Sequence, residues 1–244
     1  MGTEIRSPRC TRGWTSAGTS EPRPVTRAAL ITRVVKPVLY FAALLPLAWL
    51  LFALLTGRVM GDEVKFMQHV TGDTVLTCLM LTLTITPLRR LTGWNEIIRV
   101  RRLIGLTTFW YASLHLSTYL VFDQSLSIEE ILKDIVKHPW VLVGFTAFLC
   151  LVPLAITSTS GWVRRLGGKR WQRLHRLVYV AAVAGVLHYL WQVKKDVQAP
   201  LTYGAVLLVL LGSRVWLARD RATVRRAPAS PTKIPHPEQS ESLP

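Results

Sequence analysis

Long apolar runs of about 18 to 22 residues, separated by short charged stretches, dominate this chain. A bilayer has a hydrocarbon core of ~30 Å and needs ~20 apolar residues per spanning helix. A soluble domain of this size does not need such runs. Backbone polar groups in lipid must be bonded within their own segment, so each run is predicted to be a helix. The sequence therefore predicts an all-α integral membrane protein.

Six spans are predicted, at about 34–55, 73–88, 103–122, 139–157, 174–193 and 200–217. Together they form one six-helix transmembrane bundle, a single domain over residues 34–218. Residues 1–33 are basic and rich in Arg, Ser and Pro, so they are predicted to be a disordered tail. Residues 219–244 are predicted to be a second disordered tail.

The distribution of basic residues predicts the orientation. With six spans, 24 of the 30 Lys and Arg residues fall on the side that holds both termini. The opposite side carries eight of the fourteen acidic residues. By the positive-inside rule, both termini are cytoplasmic. The net charge of +16 is thus largely a topology signal, and membrane lipid rather than nucleic acid is the expected environment.

The cysteines and short motifs exclude several kinds of site. The three cysteines are isolated, with no CxxC pair, so no disulfide framework, iron–sulfur cluster or zinc site is predicted. The chain has no GxGxxG and no GxxxxGK[ST] motif. A separate nucleotide-binding domain is therefore not expected.

A short segment at 127–138, "SIEEILKDIVKH", has structure of its own within an outer loop. Ser127 and Glu130 fit a capping box. One helical face carries Ile128, Ile131, Leu132, Ile135 and Val136. This pattern predicts an amphipathic helix at the outer membrane surface, which either covers the bundle or docks a partner.

Three of the six histidines, His115, His175 and His188, lie in or at the edge of predicted spans. Ionisable groups inside a membrane face the bundle interior and mark functional sites. At 1.5 Å per residue, His115 is ~18 Å into its helix and His188 is ~20 Å beyond His175. His115 and His188 are therefore predicted to reach similar depths.

Two neutral imidazoles at one depth on two helices can bind an iron from both sides, as in a b-type haem. No CxxCH motif is present, so this haem is not covalently attached. The alternative is a pair of buried histidines bonded to hydroxyls, for which the sequence offers Ser113, Thr118 and Tyr189.

His175 is predicted to mark a second site near the inner surface. On a straight helix it would point ~220° away from His188. Arg101 stands fourteen residues before His115, where a regular four-histidine array would have its fourth histidine. His175 is then expected to bind an inner haem whose second ligand is weaker or is not a histidine, or to bind a quinone or a flavin. Planar guanidinium groups suit haem propionates or a flavin phosphate, and the candidates are Arg101, Arg102 and Arg173. Positive-inside topology is the alternative explanation for this basic cluster.

Three motifs, "RRLIGLTTFWYASLHLSTY", "PLAITS" and "WQRLHRLVYVAAVAGVLHYLW", resemble the MsrQ (YedZ) family of haem-binding membrane subunits. The resemblance covers about residues 30–220 and places the chain among ferric-reductase-like transmembrane domains. It implies a bacterial inner-membrane protein with b-type haem and FMN. It further implies electron transfer from the respiratory quinone pool to MsrP, a periplasmic molybdenum-containing methionine sulfoxide reductase. The family's characteristic histidines fall on His115, His175 and His188.

Three functions compete. An electron-transfer subunit would leave the catalytic chemistry to its partner. A ferric or oxygen reductase would need a separate flavoprotein, since this chain has no room for a flavin domain of its own. A transporter or structural subunit would more often carry Asp or Glu within a predicted span core, where this sequence has none.

Overall fold

The computed structural model describes residues 30–59, 61–193 and 197–226. All regular secondary structure in these ranges is helical, as predicted. The α-helices are α1 (Lys36–Leu55), α2 (Glu63–Thr92), α3 (Ile98–Thr118), α4 (Ile128–Lys137), α5 (Pro139–Ile156), α6 (Ser160–Leu174), α7 (Leu177–Gln192) and α8 (Gln198–Arg226). A short π-helical turn at Ile31–Val35 precedes α1, a 3-10 turn at Asn95–Ile97 precedes α3, and a second π-helical turn at Tyr119–Asp123 follows it.

Helix α2 is much longer than the span predicted at 73–88. Its first turn is capped by Asp62, whose carboxylate accepts the N–H groups of Val64 and Lys65 at 3.0 and 3.1 Å. It ends at Gly93, which adopts the left-handed conformation that commonly terminates helices. Both caps lie outside the apolar run, so hydropathy located the middle of the helix and missed its ends.

Residues 158–173, between the fourth and fifth predicted spans, were predicted to form a loop, but most of this segment is helical, so that part of the prediction was wrong. Thr159 caps α6, which is interrupted at Gly167 where φ is 72°. A turn at His175 and Arg176 then separates α6 from α7. The predicted fifth span, 174–193, therefore corresponds to α7 and the turn before it, and α6 is a helix that its polar, well-capped segment forms without an apolar signal.

Five helical segments in the described part of the chain are long and apolar enough to cross a membrane. They are Arg33–Leu55, Glu63–Thr92, Pro139–Ile156, Ser160–Gln192 and Gln198–Leu217. The third predicted span forms α3, which packs on α2 and α5 but is not one of the five. Its first turns carry Arg99, Arg101 and Arg102. An apolar helical membrane protein is confirmed, whereas the count of six spans stays a prediction.

The interior is formed by α2, α3, α5, α7 and α8, and the closest packing is within the pairs α2–α3 and α5–α7. Helix α1 lies at the periphery, where the Tyr111 hydroxyl of α3 donates to the Ala43 carbonyl at 2.6 Å. Phe41, Leu55 and Leu208 are more than two-thirds exposed. Such outward apolar side chains are expected of a surface that faces lipid.

The bundle has two ends, called the α4 end and the α6 end after the helices that lie there. The α4 end holds the carboxyl ends of α3 and α7, which carry His115 and His188. The α6 end holds His175 and the first turn of α3. Helix α4 is confirmed, and the Ser127 hydroxyl accepts the Glu130 N–H at 3.4 Å. Most of both predicted tails lies outside the described residues, although α8 continues past 218 to Arg226.

Candidate functional site

His115 is bonded to α2 through one ring nitrogen. Its Nδ1 lies 3.1 Å from both the Gln68 carbonyl and the Thr71 hydroxyl. Thr71 is fully buried and donates its own hydroxyl to the Met67 carbonyl at 2.7 Å. A carbonyl can only accept, so the bond to Gln68 requires the proton on Nδ1. Neutral His115 therefore has its lone pair on Nε2.

His188 has the same tautomer as His115, and a carbonyl acceptor again determines it. Its Nδ1–H donates to the Trp140 carbonyl of α5 at 2.7 Å, which again leaves the lone pair on Nε2. Histidines that bind metals almost always donate their other ring N–H to a carbonyl, a carboxylate or water. Both side chains thus have the hydrogen bonding of a metal ligand.

The structure brings the two imidazoles together. Their ring centroids are 6.3 Å apart and the rings are inclined at 82°. With metal–nitrogen bonds of about 2 Å and a ring radius of about 1 Å, two imidazoles on one iron have centroids about 6 Å apart. The spacing of the rings therefore fits a bis-histidine iron site, and the role of the two residues as ligands stays a prediction.

Two of the three hydroxyl partners considered from the sequence donate to backbone carbonyls. Ser113 donates to the Phe109 carbonyl and Thr118 to the backbone carbonyl of His115. The hydroxyl that does contact an imidazole belongs to Thr71, which sequence reasoning missed. The only sequence feature of Thr71 is that it is a threonine at the outer end of an apolar run, and this feature is too common to identify a functional residue.

His175 lies at the α6 end, in the turn between α6 and α7. Its ring stacks on Trp171 with centroids 3.8 Å apart, and its Nδ1–H donates to the Trp171 carbonyl at 3.2 Å. The Trp171 indole N–H in turn donates to the Thr157 carbonyl at 2.9 Å. Two of the sequence motifs, "PLAITS" and "WQRLH", therefore meet here and hold His175 apart from the other two histidines.

The three candidate arginines separate in the structure. Arg101 is partly buried and lies within electrostatic range of His175 and Arg214. Arg102 and Arg173 are exposed. Of the three, Arg101 alone lies inside the bundle near His175.

Arg214 of α8 is an interior residue that sequence reasoning did not select. Its guanidinium donates to the Tyr179 hydroxyl of α7 and to the Leu83 carbonyl of α2, the latter at 2.9 Å. It also lies over the Tyr179 ring, 5.0 Å from the centroid. The sequence feature that could have identified Arg214 is its position inside the apolar run 200–217, where an arginine is rare.

The bundle and its histidines lie largely in a segment that is similar to a known class of membrane proteins, the ferric-reductase-like transmembrane proteins. Residues 71–186 match the family described as ferric reductase like transmembrane component. That range includes His115 and His175 and ends just before His188.

Closer relatives identify the branch. The chain is 49% identical to the Protein-methionine-sulfoxide reductase heme-binding subunit MsrQ of Herminiimonas arsenicoxydans, covering 80% of this chain and 90% of the relative. The MsrQ proteins of Ralstonia nicotianae and Xanthomonas euvesicatoria pv. vesicatoria are 47% and 45% identical. These alignments cover 75% and 80% of this chain and 86% and 94% of the relatives. The chain belongs to the MsrQ family, so the resemblance found in the motifs is confirmed.

Proposed function

We propose that this chain is a membrane b-type cytochrome subunit whose haem iron is bound by His115 and His188. The observation that carries the proposal is the pair of rings 6.3 Å apart, each with Nδ1 bonded to a carbonyl of a neighbouring helix. The relatives are named heme-binding subunits, which agrees with this choice of metal group. When bound, the haem supplies a one-electron redox centre held at fixed ligation.

The protein residues orient the ligands and keep water away. The carbonyls of Gln68 and Trp140 hold the protons on the Nδ1 atoms, so neither histidine needs to change protonation when an electron arrives. Ala112 and Val186, which precede His115 and His188 by three and two residues, belong to the buried apolar core. An apolar, preorganised surrounding of this kind limits the access of solvent to the iron and so favours electron transfer.

We place a second redox site at the α6 end, around His175. A partly buried arginine near a histidine, inside a bundle that faces lipid, suits an anionic cofactor group such as a haem propionate or the phosphate of FMN. Arg101 is the proposed partner of that anion. FMN is proposed from the family resemblance, and Arg102 and Arg173 would need to reach it from the surface.

Electrons would enter at the α6 end and leave at the α4 end. The excess of Lys and Arg on the α6 side supports a cytoplasmic location for that end, in a bacterial inner membrane. The family resemblance supplies the quinone pool as donor and MsrP, a periplasmic molybdenum-containing methionine sulfoxide reductase, as acceptor. In this role the chain relays electrons, and methionine sulfoxide is reduced on the partner subunit.

The match to ferric reductase like transmembrane components supports a second candidate, a ferric or oxygen reductase served by a separate flavoprotein. Reduction of the purified cytochrome by a quinol in detergent, with no flavoprotein present, favours the quinone relay. Reduction that requires NADPH and a flavin reductase, followed by reoxidation with ferric citrate, favours the second candidate.

Reduced-minus-oxidised optical spectra of the purified protein test the haem itself. The variants are His115→Ala, His188→Ala and His175→Ala, with the exposed His69→Ala as control on α2. A b-type spectrum lost in the first two, reduced in the third and unchanged in the control is the expected result. Absence of haem from the wild type, after expression with ample haem supply, would overturn the proposal.

A further inference from the structure

A glycine lies against each of the paired imidazoles. A Cβ atom at Gly144 of α5 would be 2.7 Å from Nδ1, 2.8 Å from Cε1 and 3.1 Å from Cγ of His188. Real Cβ atoms essentially never approach so closely, and a ring held by a hydrogen bond cannot move aside freely. The absence of a side chain at 144 is therefore what allows His188 to lie on α5.

The same arrangement recurs on the other half of the bundle. A Cβ atom at Gly72 of α2 would be 3.3 Å from Cε1 and 3.5 Å from Nδ1 of His115. This contact is tight but less severe than the one at Gly144. Two unrelated helices thus present a glycine to the two rings that the proposed site requires.

The spacing between acceptor and glycine is also the same. His115 donates to the carbonyl of Gln68 and contacts Gly72, while His188 donates to the carbonyl of Trp140 and contacts Gly144. In both cases the glycine follows the acceptor by four residues, which places it one helical turn away on the same face. A side chain there would cover the carbonyl that the ring must reach.

His175 has no such arrangement. It donates to the carbonyl of Trp171 on its own chain segment, and its ring packs on an aromatic side chain. The feature therefore distinguishes the paired histidines from the third one and is not a general property of histidines in this bundle.

We propose that the pairs Gln68/Gly72 and Trp140/Gly144, here called carbonyl–glycine cradles, are the positioning elements of the His115 and His188 site. Each cradle fixes the Nδ1–H tautomer and the direction of the ring by letting the imidazole lie on the neighbouring helix. The inference rests on the proposed haem function. It adds that α2 and α5, which contribute no ligand, determine how the two ligands are presented.

Graded substitutions test the cradles. Gly144→Ala, with its contacts below 3 Å, should weaken haem retention by about 10-fold or more, as loss of an outer partner of a metal-bound histidine does. Gly72→Ala should have a smaller effect. Gly105→Ala on α3, with nothing within 4 Å, and Gly185→Ala on α7, which meets Leu76 at 3.2 Å, are the open and the crowded control.

The spectral readout separates ligand displacement from general destabilisation. Gly144→Ala should shift the oxidised spectrum from low-spin to high-spin, and added imidazole should restore the low-spin form. Both controls should keep the wild-type spectrum and midpoint potential. A wild-type spectrum and potential in Gly144→Ala would overturn the cradle while leaving the haem proposal intact. A wild type without haem would instead overturn the proposed function.

A double-substitution cycle supplies a readout that does not depend on haem. Ala is a better helix former than Gly, so Gly144→Ala should raise the thermal stability of a His188→Ala protein. In the protein that retains His188, prepared without haem, the same change should lower thermal stability. An equal change in thermal stability with and without His188 would show that Gly144 does not act through the imidazole, and this result would contradict the inference.

Discussion

The His115 and His188 rings are 6.3 Å apart, although each is hydrogen-bonded to a different neighbouring helix. His115 is bonded within the α2–α3 pair and His188 within the α5–α7 pair. The site therefore lies where the two helix pairs meet. Its geometry depends on how the pairs pack and on the local structure around each histidine.

Removing the Thr71 hydroxyl should weaken the hydrogen bonding that orients His115, while His115 itself stays in place as the proposed iron ligand. Thr71→Val loses both the contact with His115 Nδ1 and the bond to the Met67 carbonyl. Thr74→Val loses only the equivalent bond within the helix, to the Val70 carbonyl. Thermal unfolding in detergent should show the first variant less stable than the second by about 0.5–1.5 kcal/mol, one net hydrogen bond. Equal losses would mean that the contact with His115 contributes nothing.

Arg214 should connect three helices because its planar guanidinium reaches two acceptors at once. Arg214→Lys keeps the charge but cannot bind both the Tyr179 hydroxyl and the Leu83 carbonyl. We expect a loss of about 1.5–3 kcal/mol in unfolding free energy, typical of hydrogen bonds from a charged group. The exposed Arg99→Lys on α3 is the control. A stability equal to the wild type would show that one amine is sufficient.

Helix α4 should lie on the lipid surface with one apolar stripe uncovered. Ile128, Leu132 and Val136 are 74%, 59% and 85% exposed. On the polar side, the hydrogen bond with Glu129 raises the pKa of Lys133, which therefore stays charged.

Nitroxide probes in a cysteine-free background check this placement in vesicles. A probe at Val136→Cys should be more accessible to oxygen, which concentrates in lipid, than to a water-soluble nickel complex. A probe at Glu129→Cys should show the reverse. Equal exposure of both positions to nickel would instead favour a partner as the occupant of the stripe.

The orientation of the bundle follows from its basic residues and can be measured directly. A green fluorescent protein fused after residue 244 should fluoresce, because the C-terminus is predicted to be cytoplasmic. Alkaline phosphatase fused at the same point should be inactive. The reciprocal pair, fused within the 56–62 loop, should give the opposite pattern. Active phosphatase at the C-terminus would reverse the predicted topology.

Much of the framework could be predicted from the chain alone. Apolar runs located the helices, since the need for ~20 apolar residues in lipid is a local property. The capping pattern of Ser127 and Glu130 located α4. The cost of an ionisable group in lipid singled out His115, His175 and His188.

Helix ends and side-chain directions were less predictable. The first turn of α2 carries Glu63 and Lys65 and α6 is rich in basic residues, and their caps at Asp62 and Thr159 leave no hydropathy signal. The sequence did not distinguish the three candidate arginines. The rotation of each helix leaves Arg101 partly buried and exposes Arg102 and Arg173.

The sequence by itself determined that this is a helical membrane protein with three histidines in its spans, because hydrophobicity and charge act residue by residue. Only the tertiary structure decided what those histidines contact. The bonds to Gln68 and Trp140, and the space left by Gly72 and Gly144, arise where one helix packs on another. Such contacts depend on the rotation and close approach of whole helices, which no local pattern encodes.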